Sequence, residues 1–309
     1  MRILITGGNG FLGSSFVKKL VQEQHSLYVF SKNTNNLIDV LPFIDFDYAH
    51  TEDLMLFQDK IKSFSPEIVI HFGWSGGNNY IDVNQTNQFY ENIPPGIKLI
   101  EFLNTLPQKP KFIGVGSFSE YGRIDHQVNE ETYENPINLY GLSKLTFKNY
   151  SKTLCDNYGI DWVWIRPCYI YGPNDVSTRL IPMLINKFMN DENIELDQCD
   201  KIIDYLYIED FVNFVYSLTM SSYTGVYNIC SGEQYELKDV IKKIHFLLGS
   251  KSEIYYNFNL NRKLTSSYIC GDNNKIISST NLFPKVDLET GILKTINFYK
   301  NKYETSNNN

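Results

Sequence analysis

The chain has no excess of positive charge: 28 lysines and arginines face 35 aspartates and glutamates over 309 residues, a net charge of −7. That excludes the basic footprint on which nucleic-acid binding depends, so an anionic ligand must be gripped by a few local arginines. Cysteine is sparse. The five (Cys155, Cys168, Cys199, Cys230 and Cys270) show no paired spacing of a zinc site and read as reduced thiols of a cytosolic protein. None of the five histidines clusters with carboxylates, so no metal is expected. No apolar run approaches the ~20 residues that span a bilayer. The N-terminus lacks the charged, apolar and small-residue pattern of a signal peptide, because a strand starts at Arg2. No internal repeat is visible. The expectation is a soluble cytoplasmic protein with no nucleic-acid or membrane partner.

What is present is an ordinary globular composition, 42% apolar and 20% charged, in a chain long enough for one or two domains. Arg2 to Thr6 reads as a short buried strand, followed by glycines and a helix from about Phe11 to Gln22. Leu27 to Phe30, Glu67 to Phe72, Lys111 to Val115 and Asp161 to Ile165 read as further strands. Helical stretches at Asp53 to Ser63 and Asn92 to Asn104, and a long one carrying Tyr140, lie between them. This alternation indicates a parallel sheet covered on both faces. After Arg166-Pro167 the rhythm changes, and Pro173, Pro182, Gly225, Gly232 and Gly249 break the chain into shorter elements. The domains are expected at 1–166 with about 204–222, and at about 167–203 with 223–302, leaving 303–309 as a frayed tail.

Gly7, Gly10 and Gly13 stand between the first strand and helix. In that setting the first permits a tight turn, the second lets backbone approach a pyrophosphate, and the third packs helix on strand. The free N–H groups at the helix start then face the phosphates. The second strand ends at Ser31-Lys32, where an NAD site would carry an acid for the ribose 2′-hydroxyl. Both residues suit a 2′-phosphate, so NADPH is expected over NADH, with NAD the alternative. Asp47, after a third strand, is a candidate adenine contact.

Tyr140 and Lys144 are four residues apart in LYGLSK, which puts them on one helix face. An adjacent ammonium lowers a phenol pKa that is ordinarily about 10, so the pair can move a proton near neutral pH. Ser117, 23 residues upstream, can hydrogen-bond the same oxygen.

The strings TGGNGFLG, VIHFGW, VGSFSEYG, YGLSK, IRPCYIYGP and DYLYIEDF, with Arg262 ten residues before Asp272, resemble the extended short-chain dehydrogenase/reductase family over nearly the whole chain. That family includes nucleotide-sugar epimerases, dehydratases and ketoreductases. The resemblance implies a Rossmann doubly wound parallel sheet with a smaller C-terminal α/β substrate domain. It makes Tyr140 the acid/base, Lys144 the ribose-binding lysine and Ser117 the orienting hydroxyl. It also places Phe11, Leu12, Phe72, Gly73, Asn92 and Pro167 at the cofactor, and Trp74, Ser119, Tyr169, Arg179 and Arg262 at a nucleotide-sugar substrate. Tyr121 is a further candidate for the sugar pocket.

Departures from the family pattern narrow the chemistry. Phe118 and Ser119 stand where 4,6-dehydratases carry an Asp-Glu pair, and Glu120, one place displaced, is expected to point to the other side of the strand end. Ser119 and Asn174 replace the cysteine and histidine of enzymes resembling GDP-fucose synthase. Ile203 and Tyr169 replace a diphosphate-binding arginine and asparagine. What remains is NADPH-dependent reduction of a nucleotide-activated 4-keto sugar. The alternative is a 4-epimerase holding NAD tightly, and a non-catalytic dinucleotide sensor comes third. Helices around 92–104 and 138–158 resemble the family's dimer pair, so a homodimer is expected.

Overall fold

A computed structural model describes residues 1–76, 86–257 and 266–307. The first half alternates strands β1 (Arg2–Thr6), β2 (Ser26–Ser31), β3 (Asp45–Tyr48), β4 (Ile68–His71), β5 (Lys111–Val115) and β6 (Trp162–Pro167) with helices α1 (Phe11–Gln22), α2 (Gln58–Phe64), α3 (Asn87–Tyr90), α4 (Ile93–Asn104) and α5 (Leu139–Tyr158). Strands β7 (Tyr169–Tyr171), β8 (Ile194–Leu196), β9 (Ile202–Ile203), β10 (Tyr205–Tyr207) and β11 (Gly225–Ile229) follow, with helices α6 (Leu180–Met189) and α7 (Ile208–Met220) among them. Seven strands form one sheet in the order β11-β6-β5-β4-β1-β2-β3. Every pairing in it is parallel. This is the Rossmann architecture expected from the alternating pattern.

The strands are apolar on both faces because both faces are covered. Ile3, Ile5, Val29, Ile70, Ile113 and Val163 pack towards α1 and α7, with Phe16, Val17 and Leu20 among their neighbours. Leu4, Tyr28, Phe30, Val69 and Phe112 face the other way, towards α4 and α5. Trp162 and Trp164, both buried, stack on that second side with ring centroids 6.0 Å apart. Helix α7 packs on α1, beside the main sheet.

Two boundaries differ from the sequence reading. Strand β11 lies within the 223–302 segment yet pairs with β6 in the main sheet, Gly225 opposite Val163. Its five residues are too short and too interrupted by glycine to show which sheet they join. The last helix described runs from Leu288 to Asn307, through most of the stretch read as a frayed tail. The shorter sheets, β7 with β10, β8 with a strand at Ile254–Tyr256, and β9 between strands at Tyr235–Glu236 and Tyr268–Ile269, lie beyond the C-terminal ends of β5 and β6 in the chain. A cleft opens between the ends of the main strands and these elements. The catalytic candidates line it.

Candidate functional site

The glycine loop joins β1 to α1 in a left-handed turn, with Gly7 at φ +68°. A Cβ on Gly7 would lie 2.6 Å from Gly73 N, and one on Gly13 would lie 2.4 Å from Gly7 O. Gly10 is different. Its Cβ would meet only Gly7 O, at 3.3 Å, so the outer side of the turn is open to a ligand. No side chain caps the start of α1, which leaves its first N–H groups free for phosphate. Asn9 braces the loop, accepting from Asn36 N at 2.7 Å and donating its own N–H to Ser31 Oγ at 3.2 Å. Lys32 Nζ reaches Ser75 Oγ at 3.2 Å.

Several candidates serve the scaffold. Asp47 lies inside β3 opposite Phe30, and its carboxylate accepts from Tyr28 Oη and from Lys60 Nζ at 2.7 Å, so an adenine contact would have to compete with both. Asn92 is buried and clamps the loop after β4: its Oδ1 accepts from Ser75 N at 2.6 Å, and its Nδ2 donates to the carbonyls of Ser75 and Gln88. Its amide has spent its hydrogen bonds on that loop and does not line the cleft. Tyr121 is also buried, donating to Asn228 Oδ1 at 2.8 Å. Arg262 lies outside the described residues.

The loop after β4 supplies the facing wall. Thr6 Oγ1 accepts from Gly73 N at 3.2 Å and lies 2.7 Å from His71 Nδ1, tying the end of β1 to that loop. Burial, aided by the Lys144 charge, pushes the His71 imidazole down to about 3, so it stays neutral near pH 7. Trp74 donates its indole N–H to Gln88 Oε1 at 2.7 Å and stands edge-on to Tyr140, ring centroids 6.5 Å apart.

Helix α5 begins at Asn138, whose Oδ1 accepts from Gly141 N at 2.8 Å. Tyr140 is thereby held in the first turn, where the positive end of the helix favours an anion. Lys144, one turn later, is buried; its Nζ donates to Val115 O at 2.8 Å and sits 3.6 Å from the Trp74 ring centroid and 5.9 Å from that of Tyr140. Desolvation pushes this ammonium down to about 7, opposed by the negative charge of Glu120. Ser117 follows β5, and its Oγ accepts from Ser119 N at 3.1 Å.

These residues meet between two adjoining cavities. The first, about 470 Å³, is lined by Gly7, Gly10, Phe11, Leu12, Phe72, Trp74 and Lys144 among others, a size suited to a cofactor. The second is bordered by Phe118, Ser119, Ile124, Asn138, Tyr169 and Ile269. Ser117, Tyr140, Pro167, Cys168 and Arg179 line both. Trp74 lines the first cavity and not the second. Sequence reasoning missed Cys168 and Asp175. Asp175 is buried in the first cavity's wall and bonded by Arg179 Nη1 at 3.3 Å; burial raises its carboxyl pKa and the guanidinium opposes that. Its one signal was its place two residues after Gly172-Pro173. Among the described residues no group of His, Cys, Asp and Glu could hold a metal, and no helix is long and apolar enough to cross a membrane.

The sequence model of the NAD dependent epimerase/dehydratase family matches residues 3–230. The dTDP-4-dehydro-6-deoxyglucose reductase of Escherichia coli is 25% identical over 95% of this chain and 96% of that enzyme. Among solved structures, the UDP-glucose 4-epimerase of Thermotoga maritima with UDP-glucose superposes with a TM-score of 0.90 at 22% identity, covering 98% of this chain and 100% of that one. The dTDP-glucose 4,6-dehydratase of Streptomyces venezuelae, solved with NAD, gives 0.91 at 20% identity over 98% of each chain.

Proposed function

The chain belongs to the NAD-dependent epimerase/dehydratase family, and within it we propose an NADPH-dependent reductase of a nucleotide-activated 4-keto sugar. One observation carries the reading. Ser117 and Tyr140 stand on the wall shared by two cavities, with Lys144 behind the tyrosine, while the positions after Ser117 hold Phe118 and Ser119 and no carboxyl pair. Glu120, the nearest carboxylate in sequence, is fully buried and turned onto Arg166, so it cannot expel a sugar 6-hydroxyl.

The residues of the first cavity fit a dinucleotide. The open side of Gly10 and the uncapped start of α1 would take the pyrophosphate, and Lys144 with Tyr140 would take the nicotinamide ribose. No acid ends β2, where Ser31 and Lys32 stand, which favours a 2′-phosphate and hence NADPH; NAD, which the Streptomyces relative carries, is the alternative. When bound, the nicotinamide supplies hydride to the sugar carbon. The chain's own part is the proton. Tyr140 Oη donates to the carbonyl oxygen as it gains charge, and Ser117 Oγ–H bonds the same oxygen. The Lys144 ammonium and the helix N-terminus stabilise the phenolate left behind. Arg179, on the rim of both cavities, is placed to bond a diphosphate through its guanidinium.

The test is a panel of 4-keto and 4-hydroxy sugar nucleotides with NADPH or NAD⁺. Stoichiometric NADPH oxidation with a 4-keto sugar supports the reading. Interconversion of 4-hydroxy sugars by catalytic NAD⁺ replaces it with 4-epimerisation. Dinucleotide binding without turnover across the panel points to a sensor. The homodimer suggested by helices α4 and α5 is a separate proposal, which a monomer in sedimentation at micromolar concentration rejects.

A further inference from the structure

Behind Ser117 lies a charged cluster that the proposed reaction does not use. Glu120 is fully buried, and its carboxylate accepts from three donors: Ser117 N at 2.8 Å on Oε1, Trp164 Nε1 shared between Oε1 at 3.1 Å and Oε2 at 3.2 Å, and Arg166 Nε at 2.7 Å on Oε2. Arg166, also fully buried, continues to Tyr121 Oη at 2.8 Å and to Glu134, which in turn holds Lys148. The charges alternate along this chain, so Arg166 is shared between two carboxylates and does not by itself neutralise Glu120.

The carboxylate lies directly under the end of β5. A Cβ on Gly116 would fall 2.2 Å from Glu120 Oε1 and 2.2 Å from Trp164 Nε1, so only glycine leaves room for it. On either side of Gly116 are the two backbone groups that touch the catalytic candidates: Val115 O, which accepts from Lys144 Nζ at 2.8 Å, and Ser117 N, which donates to Glu120. The ammonium is faced by Tyr140 on its own helix, by His71 at the end of β4, which is held neutral, and by Glu120 after β5. Asp175 and Arg179, ion-paired to one another, stand in the wall of the same cavity.

We infer that Glu120 is a positioning residue for the proton-transfer machinery: it fixes Ser117 through its backbone N–H and supplies the buried negative charge that helps keep Lys144 an ammonium. A merely structural role would end at Arg166, as a buried ion pair whose breakage destabilises the fold and leaves Lys144 unaffected. The inference rests on the proposed roles of Ser117 and Lys144, and the measurement is chosen to be independent of any sugar.

The experiment is isothermal titration of the whole protein with NADPH, and with NAD⁺ in parallel, in buffers of different ionisation enthalpy, which counts protons taken up on binding. Glu120→Gln keeps an oxygen for Ser117 N–H and removes the charge. The double variant Glu120→Gln, Arg166→Gln removes the stranded cation as well. In both, Lys144 enters binding less protonated, so proton uptake near neutral pH rises and the alkaline loss of affinity moves down by roughly one pH unit. Glu120→Asp, which retains the charge on a shorter arm, gives values between wild type and the neutral variants. Lys144→Met abolishes the uptake. Glu134→Gln, at the far end of the same network, costs stability and leaves uptake unchanged. Folded neutral variants with wild-type uptake and pH dependence overturn the inference. If neither neutral variant folds, Glu120→Asp decides alone: its shorter reach should raise uptake slightly, and no change overturns the role. A failure of every sugar to react would sink the proposed reductase and leave this result standing.

Discussion

Lys144 should make the ligand-free protein more stable as the pH rises from neutrality, and Lys144→Met should remove that gain. In the unfolded chain this lysine keeps its proton up to its ordinary value of 10.5, whereas burial among Val115 O, Trp74 and the end of β5 pushes it down to about 7 in the folded protein. Between those values the unfolded state binds the extra proton, so the free energy of unfolding rises with pH by up to about 1.4 kcal/mol per unit. From about pH 7, where the folded group is half titrated, to about pH 9, the gain from this one residue is on the order of 2 kcal/mol. Lys111, which burial pushes down to about 8, adds a gain of the same sign. It is present in both proteins and cancels when they are compared. The assay is denaturant unfolding of wild type and Lys144→Met at both pH values, without cofactor. The expected difference of differences is about 2 kcal/mol in favour of wild type. A pH dependence equal in the two proteins would mean that the ammonium is not desolvated, and the electrostatic argument for the Tyr140–Lys144 pair would fall with it. Saturating dinucleotide should shrink the difference, because its phosphates and ribose oxygens favour the charged lysine.

Two further outcomes bear on the cofactor and the substrate oxygen. Lys32→Ala should weaken NADPH more than NADH, with the ratio of dissociation constants read by fluorescence titration; equal effects, or a clear wild-type preference for NADH, reject the 2′-phosphate reading. Ser117→Ala should lower kcat about tenfold to a hundredfold with unchanged dinucleotide affinity, since it removes one hydrogen bond to the developing charge and none to the cofactor; a rise in the dinucleotide dissociation constant instead would place the serine at the wrong partner.

The parts of the fold that were legible in the sequence are those fixed by local pattern. The bounds Arg2–Thr6 and Phe11–Gln22 emerge as read, because the apolar run, the glycines and the amphipathic repeat all act within a few residues. Trp162 and Trp164 alternate in sequence and share one buried face of β6. Glu120 is buried, but it sits in the 3-10 turn Phe118–Glu120 after β5 and is turned by its bond from Ser117 N, not by strand alternation. What escaped depends on partners distant in sequence. Asn92 and Ser75 are 17 residues apart, and only the folded loop shows that the asparagine is spent on it. Tyr121 became part of a buried network because Asn228, 107 residues away, meets its hydroxyl. Asp175 carries no motif of its own, and its burial and its bond from Arg179, the residue before α6, appear only in the folded chain. Strand β11 reads as a fragment of the smaller region until it is seen to pair with β6 at the edge of the main sheet.

The proposed chemistry turns on the Tyr140 hydroxyl. The decisive measurement is single-turnover hydride transfer by Tyr140→Phe with NADPH and a reactive 4-keto sugar nucleotide, alongside a binding titration of the same preparation. The result expected is a rate lower by roughly 10²–10⁴-fold with dinucleotide affinity unchanged. Wild-type turnover in that variant would contradict the assignment of the proton to this phenol.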